Sequence, residues 1–182
     1  ITSYLRLIQN TSDNLSLQRI INEPKRGIGK TSLEKIESIA SSNEISMYEV
    51  IKRAAEFGLN KVFANSREFV ELIDDLSARK DQMEISELVK ETLRRSGYTK
   101  ALELENTTQA ENRLENLEEF LTVAMEYEEE AAESNLAEFL ESITLSSDVD
   151  ELEENAESVT LMTLHSAKGL EFPVVFLVGM ED

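Results

Sequence analysis

A cluster of polar residues near the end of the chain has the side-chain types of a ligand-binding turn. It lies in VTLMTLHSAKGLEFPVVFLVGMED, residues 159–182, between two short apolar runs, and includes the one histidine of the chain. Such runs are typical of buried parallel strands, and loops at the carboxyl ends of parallel strands are where α/β proteins bind ligands. The donors and the carboxylate of this turn suit a phosphate or a ribose. The residues that carry or position these groups are Thr163, His165, Ser166, Lys168, Gly169 and Glu171.

The alternative for His165 is a buried polar group whose hydrogen bonds are satisfied inside the fold. A serine-hydrolase dyad is excluded, because His165 and Ser166 are adjacent in the chain and no third group is evident. Ligand contact and structural burial therefore both stay open for His165 on the residues alone.

A second candidate is the glycine-containing stretch PKRGIGKTS, residues 24–32, between two predicted helices. Gly27 and Gly29 allow positive φ and close backbone approach, and Ile28 between them can pack into the core between the helices. The N–H groups at the start of the following helix, from Gly29 to Thr31, can then hold a phosphate. Positive charge beside them comes from Lys25, Arg26 and Lys30.

This arrangement resembles the helix-hairpin-helix module, which grips the backbone of duplex DNA without reading bases. An ordinary tight turn with solvated lysines is the alternative. A P-loop is rejected, because that motif requires a glycine five positions before Gly29, where the chain has Pro24, and a strand in front of the loop.

Two features further along the chain could suggest additional sites. Arg113 is the only base among residues 101–158, and we interpret it as half of a structural ion pair. Glu128, Glu129 and Glu130 could suggest a metal site, but successive residues of a helix point in different directions. We interpret these glutamates as a solvent-exposed helix face.

The elements that must position these residues are predicted to be helices through residues 1–145, because apolar residues recur there at helical spacing. The residues expected to start or end helices are Asp13, Thr31 or Ser32, Ser46 with Glu49 in a capping box, Gly58 and Gly97. The segments are SYLRLIQ, LSLQRIIN, SLEKIESIASS, SMYEVIKRAAEFG, KVFANSREFVELIDDLSARK, ISELVKETLRRSG, TTQAENRLENLEEFLTVAMEYEEEA and NLAEFLESITL. Apolar stripes are predicted on two of them, at Val62, Phe69, Leu72, Ile73 and Leu76 and at Leu114, Leu117, Leu121 and Ala124.

Three regions follow from this pattern: a helical domain over 1–150, an acidic linker over 151–158, and a strand–turn–strand segment over 159–182. Two parallel strands cannot fold alone, so their sheet is expected to lie partly outside this sequence. The chain also begins without Met and in the middle of a predicted helix. We therefore expect it to be a piece of a longer protein.

The net charge of −19 is unevenly distributed along the 182 residues. Residues 1–100 carry 15 acids and 16 bases, whereas residues 101–158 carry 19 acids and one base. The total therefore does not exclude nucleic-acid binding by the first half. The absence of cysteine excludes disulfides and thiolate metal sites. No apolar run approaches the roughly 20 residues of a membrane span, and the first ten residues lack the pattern of a signal peptide.

The residues also carry a family resemblance. VTLMTLHSAKGLEFPVVFLVGMED closely resembles motif V of the UvrD/PcrA/Rep-type superfamily-one DNA helicases, and SYLRLIQN, SLQRIINEPKRGIG and ENRLENLEEF resemble the 2B domain of the same family, in the same order. The resemblance implies a bacterial, cytoplasmic, ATP-dependent helicase that moves 3′ to 5′ on single-stranded DNA and serves repair or replication. It implies ATP with Mg²⁺ as cofactors of the longer protein.

The resemblance also implies a fold and a set of roles. A mainly α domain, 2B, containing a helix-hairpin-helix-like motif, would be inserted into a RecA-like α/β motor domain, to which 159–182 would belong. Single-stranded DNA would be contacted, and coupled to the motor, by Thr163, His165, Ser166 and Lys168. The nucleotide would be contacted by Gly169 and Glu171. Duplex DNA ahead of the fork would meet Lys25, Arg26, Gly27, Ile28, Gly29, Lys30 and Thr31.

No Walker A, Walker B or motif VI is present, so the chain alone is expected to be inactive as an ATPase and to bind neither ATP nor Mg²⁺. Expected partners are a junction of single-stranded and duplex DNA, the rest of the motor, and repair or replication proteins, with no membrane. The alternative function is a regulatory domain whose acidic face, in residues 101–158, docks a basic partner or the motor.

Overall fold

The computed structural model describes residues 1–131, 135–148 and 174–177 of the chain. The chain divides into two compact units, residues 1–148 and residues 149–182. Each unit is described by itself below.

The described part of the first unit is helical, as predicted. The helices are α1 (Thr2–Gln9), α2 (Asn14–Ile20), α3 (Lys30–Asn43), α4 (Met47–Lys52), α5 (Asn60–Arg79), α6 (Ile85–Ser96), α7 (Tyr98–Glu105), α8 (Thr108–Glu130) and α9 (Leu136–Asp148), with a short 3₁₀ helix, Lys80–Gln82, after α5. No helix in the described ranges is both long enough and apolar enough to cross a membrane.

Most helix ends follow the predicted signals. Asp13 caps α2 by accepting a hydrogen bond from the Ser16 amide, and Ser46 caps α4 by accepting one from the Glu49 amide. Gly97 ends α6 with φ of +76°, a left-handed conformation that suits glycine.

Two predicted helix boundaries differ from the structure, and one helix was not predicted. The N-cap of α3 is Gly29 and not Thr31 or Ser32, so no side chain caps this helix. Helix α4 ends at Lys52, and the chain passes through turns before Gly58. Helix α7 was not predicted, because its eight residues, YTKALELE, have only one buried side chain and so little apolar periodicity.

Helix α5 lies in the centre of the core. The whole stripe predicted on it is buried, together with Ser66. Helices α1, α4 and α6 pack against α5, and α2 and α3 both pack against α4. Helix α8 packs against α6 and α7, and α9 against α1. The loop between α2 and α3 is thus held by helices that belong to one hydrophobic core.

The second unit is described only at residues 174–177, which are exposed and carry no strand assignment. The strand predicted for PVVFLVG is therefore not present at these four residues. No strand occurs in any of the described ranges, so the mainly α prediction is confirmed and the RecA-like β segment is not shown.

Candidate nucleic-acid interface

The loop between α2 and α3, residues 21–29, is called the hairpin below. Its turn is at Gly27, which has φ of +69°, in the left-handed region that favours glycine. Gly29 has φ of −84° and ψ of −178°, an extended conformation that any residue can adopt. The positive φ that both glycines allow is thus adopted at Gly27 and not at Gly29. Ile28 is only 1% exposed and belongs to the core, as predicted.

The two glycines also differ in the space around them. A Cβ atom on Gly27 would lie 3.0 Å from Nδ2 of Asn65, on the neighbouring α5, whereas a Cβ atom on Gly29 would meet nothing within 4 Å. A side chain at position 27 would therefore be strained, by its φ and by its contact with Asn65. Gly29 leaves open space in which an external group can approach the backbone.

Asn22 holds the hairpin from inside. Its Oδ1 accepts hydrogen bonds from the backbone N–H of Arg26, at 2.8 Å, and of Ile28, at 3.3 Å. One side chain thus bonds amides on both sides of Gly27 and limits the conformations of the turn. Asparagine commonly bonds nearby backbone in turns, so the sequence carries a signal for this contact.

Arg26 points into the fold. Its guanidinium lies 5.0 Å from the ring centroid of Phe69, at cation–π distance. It also donates hydrogen bonds to backbone oxygens of Ile20, Ile21, Pro24 and Ser96 and to the hydroxyl of Tyr4. These bonds engage both terminal nitrogens. The structure therefore gives Arg26 an internal role that the sequence did not distinguish from that of Lys25.

The outward side of the hairpin and of the first turn of α3 is formed by Lys25, Gly29, Lys30 and Thr31, which are all exposed. Because Gly29 is the N-cap and has no side chain, the first N–H groups of α3 have no side-chain cap. Lys30 is 91% exposed and lies 4.0 Å from Glu34, at the limit of an ion pair. A pair this exposed and this long leaves the lysine charge accessible.

The nucleotide and single-strand residues predicted in the second unit lie outside the described residues. They are Thr163, His165, Ser166, Lys168, Gly169 and Glu171. The linker, residues 151–158, also lies there. In the described ranges no group of three or more His, Cys, Asp or Glu side chains could hold a metal ion.

Two interpretations of α8 differ in part from the described structure. Arg113 is exposed and makes no ion pair with any described residue, so the expected structural ion pair is not present there. Glu128 is half-buried, and its carboxylate accepts a hydrogen bond from the backbone N–H of Ser86, in the first turn of α6. Glu128 thus caps a neighbouring helix, while Glu129 and Glu130 are exposed as predicted.

Residues 1–182 match the family described as the UvrD-like helicase C-terminal domain. The chain is 48% identical, over 183 aligned residues, to the ATP-dependent DNA helicase PcrA of Staphylococcus aureus and to that of Staphylococcus epidermidis. Each alignment covers 99% of this chain and 25% of the relative, so the chain spans about a quarter of the length of these proteins. The chain belongs to the UvrD-like helicase C-terminal domain family.

Proposed function

We propose that the chain is part of an ATP-dependent DNA helicase that moves 3′ to 5′ along single-stranded DNA in repair or replication. Membership of the UvrD-like family supports this proposal, as does the name of its relatives, ATP-dependent DNA helicase PcrA. Within that helicase, residues 1–148 bind duplex DNA through the hairpin in a helix-hairpin-helix manner.

The observation that carries the duplex proposal is the exposed and uncapped start of α3. Unpaired N–H groups at a helix N-terminus favour an anion, and the open space beside Gly29 lets a phosphate reach them. Lys25 and Lys30 add accessible positive charge. Because such contacts meet only the phosphate backbone, binding is independent of base sequence and weakens as salt rises.

The motor roles are part of the same proposal. Thr163, His165, Ser166 and Lys168 contact single-stranded DNA and couple it to the motor, and Gly169 and Glu171 contact the nucleotide. ATP with Mg²⁺ supplies the free energy of phosphate-bond hydrolysis when it is bound by the longer protein. The chain by itself hydrolyses no ATP.

The duplex proposal is tested by Gly29→Val. Valine adopts the extended conformation of Gly29 readily, and its Cβ would meet no neighbour within 4 Å, so we expect the fold to stay intact. The added bulk lies where the phosphate would approach. Fluorescence anisotropy with a labelled duplex should show affinity reduced about tenfold, the effect of losing one hydrogen bond to a charged group. Binding of the matching single strand should change little.

A matched control is Glu84→Val. Glu84 is the N-cap of α6, has an extended conformation, and like Gly29 makes no side-chain cap. The Glu84→Val variant should leave duplex affinity unchanged or slightly higher, because the substitution removes a negative charge.

A second experiment removes the charges of Lys25 and Lys30 together. This change should reduce the magnitude of the slope of log affinity against log salt by about 0.9 for each lost phosphate contact. Duplex affinity that survives both experiments would show that the hairpin is only a turn.

A second candidate function is docking of a basic partner by α8. The observation that favours it is a set of exposed glutamates without an ion pair to any described residue: Glu111, Glu115, Glu118, Glu119, Glu126, Glu129 and Glu130. Charge reversal separates the two functions. The double variant Glu115→Lys, Glu119→Lys should abolish binding of a basic partner, whereas it should strengthen duplex binding if the hairpin is the site.

A further inference from the structure

We infer that Arg26, together with Tyr4, is a positioning residue that fixes the hairpin in the conformation that meets duplex DNA. This inference rests on the proposed duplex function. It assigns Arg26 to the support of the binding surface and not to contact with phosphate.

The acceptors around Arg26 show what it holds together. Two of them, the carbonyl oxygens of Ile20 and Ile21, are at the carboxyl end of α2, and a third, that of Ser96, is at the carboxyl end of α6. Helix carboxyl ends have unpaired carbonyl groups and partial negative charge, which a guanidinium satisfies. Because Arg26 directly precedes Gly27, these bonds connect the ends of α2 and α6 to the turn of the hairpin.

Tyr4 extends this contact to α1. Its hydroxyl donates to the backbone oxygen of Glu23, at 2.6 Å, and accepts from Nη2 of Arg26, at 2.8 Å. Its ring packs edge-on against Phe69, with centroids 6.1 Å apart, so Phe69 contacts both Tyr4 and Arg26. Burial raises the pKa of Tyr4, although Arg26 opposes that change, so the hydroxyl keeps its proton at neutral pH.

Such a support matters for binding because a phosphate site made of backbone N–H groups has no long side chain to adapt. If the hairpin sampled several conformations, ordering it on binding would reduce affinity. Asn22 fixes the turn internally, while Arg26 and Tyr4 fix its position relative to α1, α2 and α6. Tyr4 is only 3% exposed, so it acts on DNA only through the hairpin.

The experiment compares Tyr4→Phe with Tyr48→Phe in the 182-residue chain. Tyr48 is a matched control, because it is also 3% exposed, and its hydroxyl lies 3.2 Å from the Val70 oxygen and 3.0 Å from Oδ1 of Asp74. Each variant removes one buried hydroxyl, and both should lower the melting temperature. Only Tyr4→Phe should accelerate hydrogen exchange at the amides of Arg26 and Ile28, by about tenfold, and lower duplex affinity by about fivefold.

A third variant, Arg26→Lys, keeps the charge but loses the planar set of donors. It should also accelerate exchange in the hairpin and weaken duplex binding, whereas lysine would largely preserve a simple phosphate contact. The inference is overturned if Tyr4→Phe and Tyr48→Phe affect hairpin exchange or duplex affinity equally, or if Arg26→Lys binds duplex as the unchanged chain does.

Gly29→Val separates this inference from the duplex proposal. If Gly29→Val weakens duplex binding and Tyr4→Phe does not, the hairpin binds DNA but Arg26 and Tyr4 do not position it. If neither change affects duplex binding, the duplex proposal fails, and this inference fails with it, even where Tyr4→Phe accelerates exchange.

Discussion

The two longest helices, α5 and α8, differ sharply in how they are held. Helix α5 has 20 residues and buries six of them, whereas α8 has 23 residues and buries only Ala110 and Ala124. The remaining predicted stripe of α8, at Leu114, Leu117 and Leu121, is half-buried. Length therefore does not measure how much a helix contributes to the core. A helix at the edge of a domain keeps a narrow apolar side and a wide polar one.

Charge separates the same two helices. Helix α5 is connected by ion pairs within itself and to its neighbours, including Arg67–Glu71, Arg79–Asp75, Lys52–Asp74 and Arg95–Asp75. Among the described residues α8 has none. Its carboxylates repel one another at helical spacing, which weakens the helix slightly at each pair. Helix α8 is thus held in the fold by its packing against α6 and α7 and by the hydrogen bond from the Ser86 amide to Glu128.

The difference extends to the candidate interface. Helix α5 supports the hairpin directly, because Phe69 contacts Arg26 and Asn65 lies beside Gly27. Helix α8 contributes one hydrogen bond to the start of α6, through Glu128. We infer that damage to α5 disturbs both stability and duplex binding, whereas damage to α8 mainly affects local stability.

The largest expected effect compares one substitution on both helices. Leu72→Ala on α5 removes a side chain that is 2% exposed and should lower the free energy of unfolding by about 2–5 kcal/mol. Leu117→Ala on α8 removes a half-buried side chain and should cost about 1 kcal/mol or less. Leucine and alanine are both good helix formers, so propensity contributes little. Urea denaturation followed by circular dichroism measures both, and equal losses would contradict the comparison.

The sequence predicted the two helices well and their difference only in part. Periodicity predicted every buried apolar residue on α5, because a central helix must face apolar partners on several sides. The same signal placed a stripe on α8 but not its depth of burial, which depends on which helices pack against it. Helix α7 was missed because its one buried residue, Leu102, leaves no periodic pattern.

The sequence predicted where the candidate interface lies but did not distinguish the roles of its individual residues. The pattern Gly27-Ile28-Gly29 indicated the turn and the buried isoleucine between the glycines. It did not separate a glycine favoured by its positive φ from one that leaves open space. Likewise, Lys25 and Arg26 are adjacent bases, and only tertiary contacts from α1 and α6 show that one is internal. Long-range contacts of this kind leave no local sequence signal.

An intermediate effect distinguishes two neighbouring glutamates of α8. Glu128→Ala removes the carboxylate that bonds the Ser86 amide and should lower the free energy of unfolding by about 1 kcal/mol, as loss of a helix cap does. Glu129→Ala removes an exposed charge from an acidic face and should raise it by a few tenths of a kcal/mol. The two variants change the same atoms one residue apart. Thermal denaturation should therefore give melting-temperature shifts of opposite sign. Shifts of the same sign would show that Glu128 does not stabilise the fold by capping α6.

The smallest expected effect concerns acid and the ion pairs of α5. Hydrogen bonds from Arg95 and Arg79 hold the pKa of Asp75 below its ordinary value, which is about 4 in an unfolded chain. Because the folded pKa is the lower one, Asp75 stabilises the fold above pH of about 4 and loses this contribution as pH falls through the folded pKa. The side chain of Asp75 is 41% exposed, so solvent screening keeps the contribution under about 1 kcal/mol.

The variant Asp75→Asn should lower the free energy of unfolding at pH 7 and flatten its decline in acid, as measured by urea midpoints from pH 7 to pH 2. Asp81→Asn is the control, since Asp81 is exposed and forms no ion pair with a described residue. If both variants followed the same profile, ion pairing would not be what distinguishes α5 from α8, and burial alone would account for the difference.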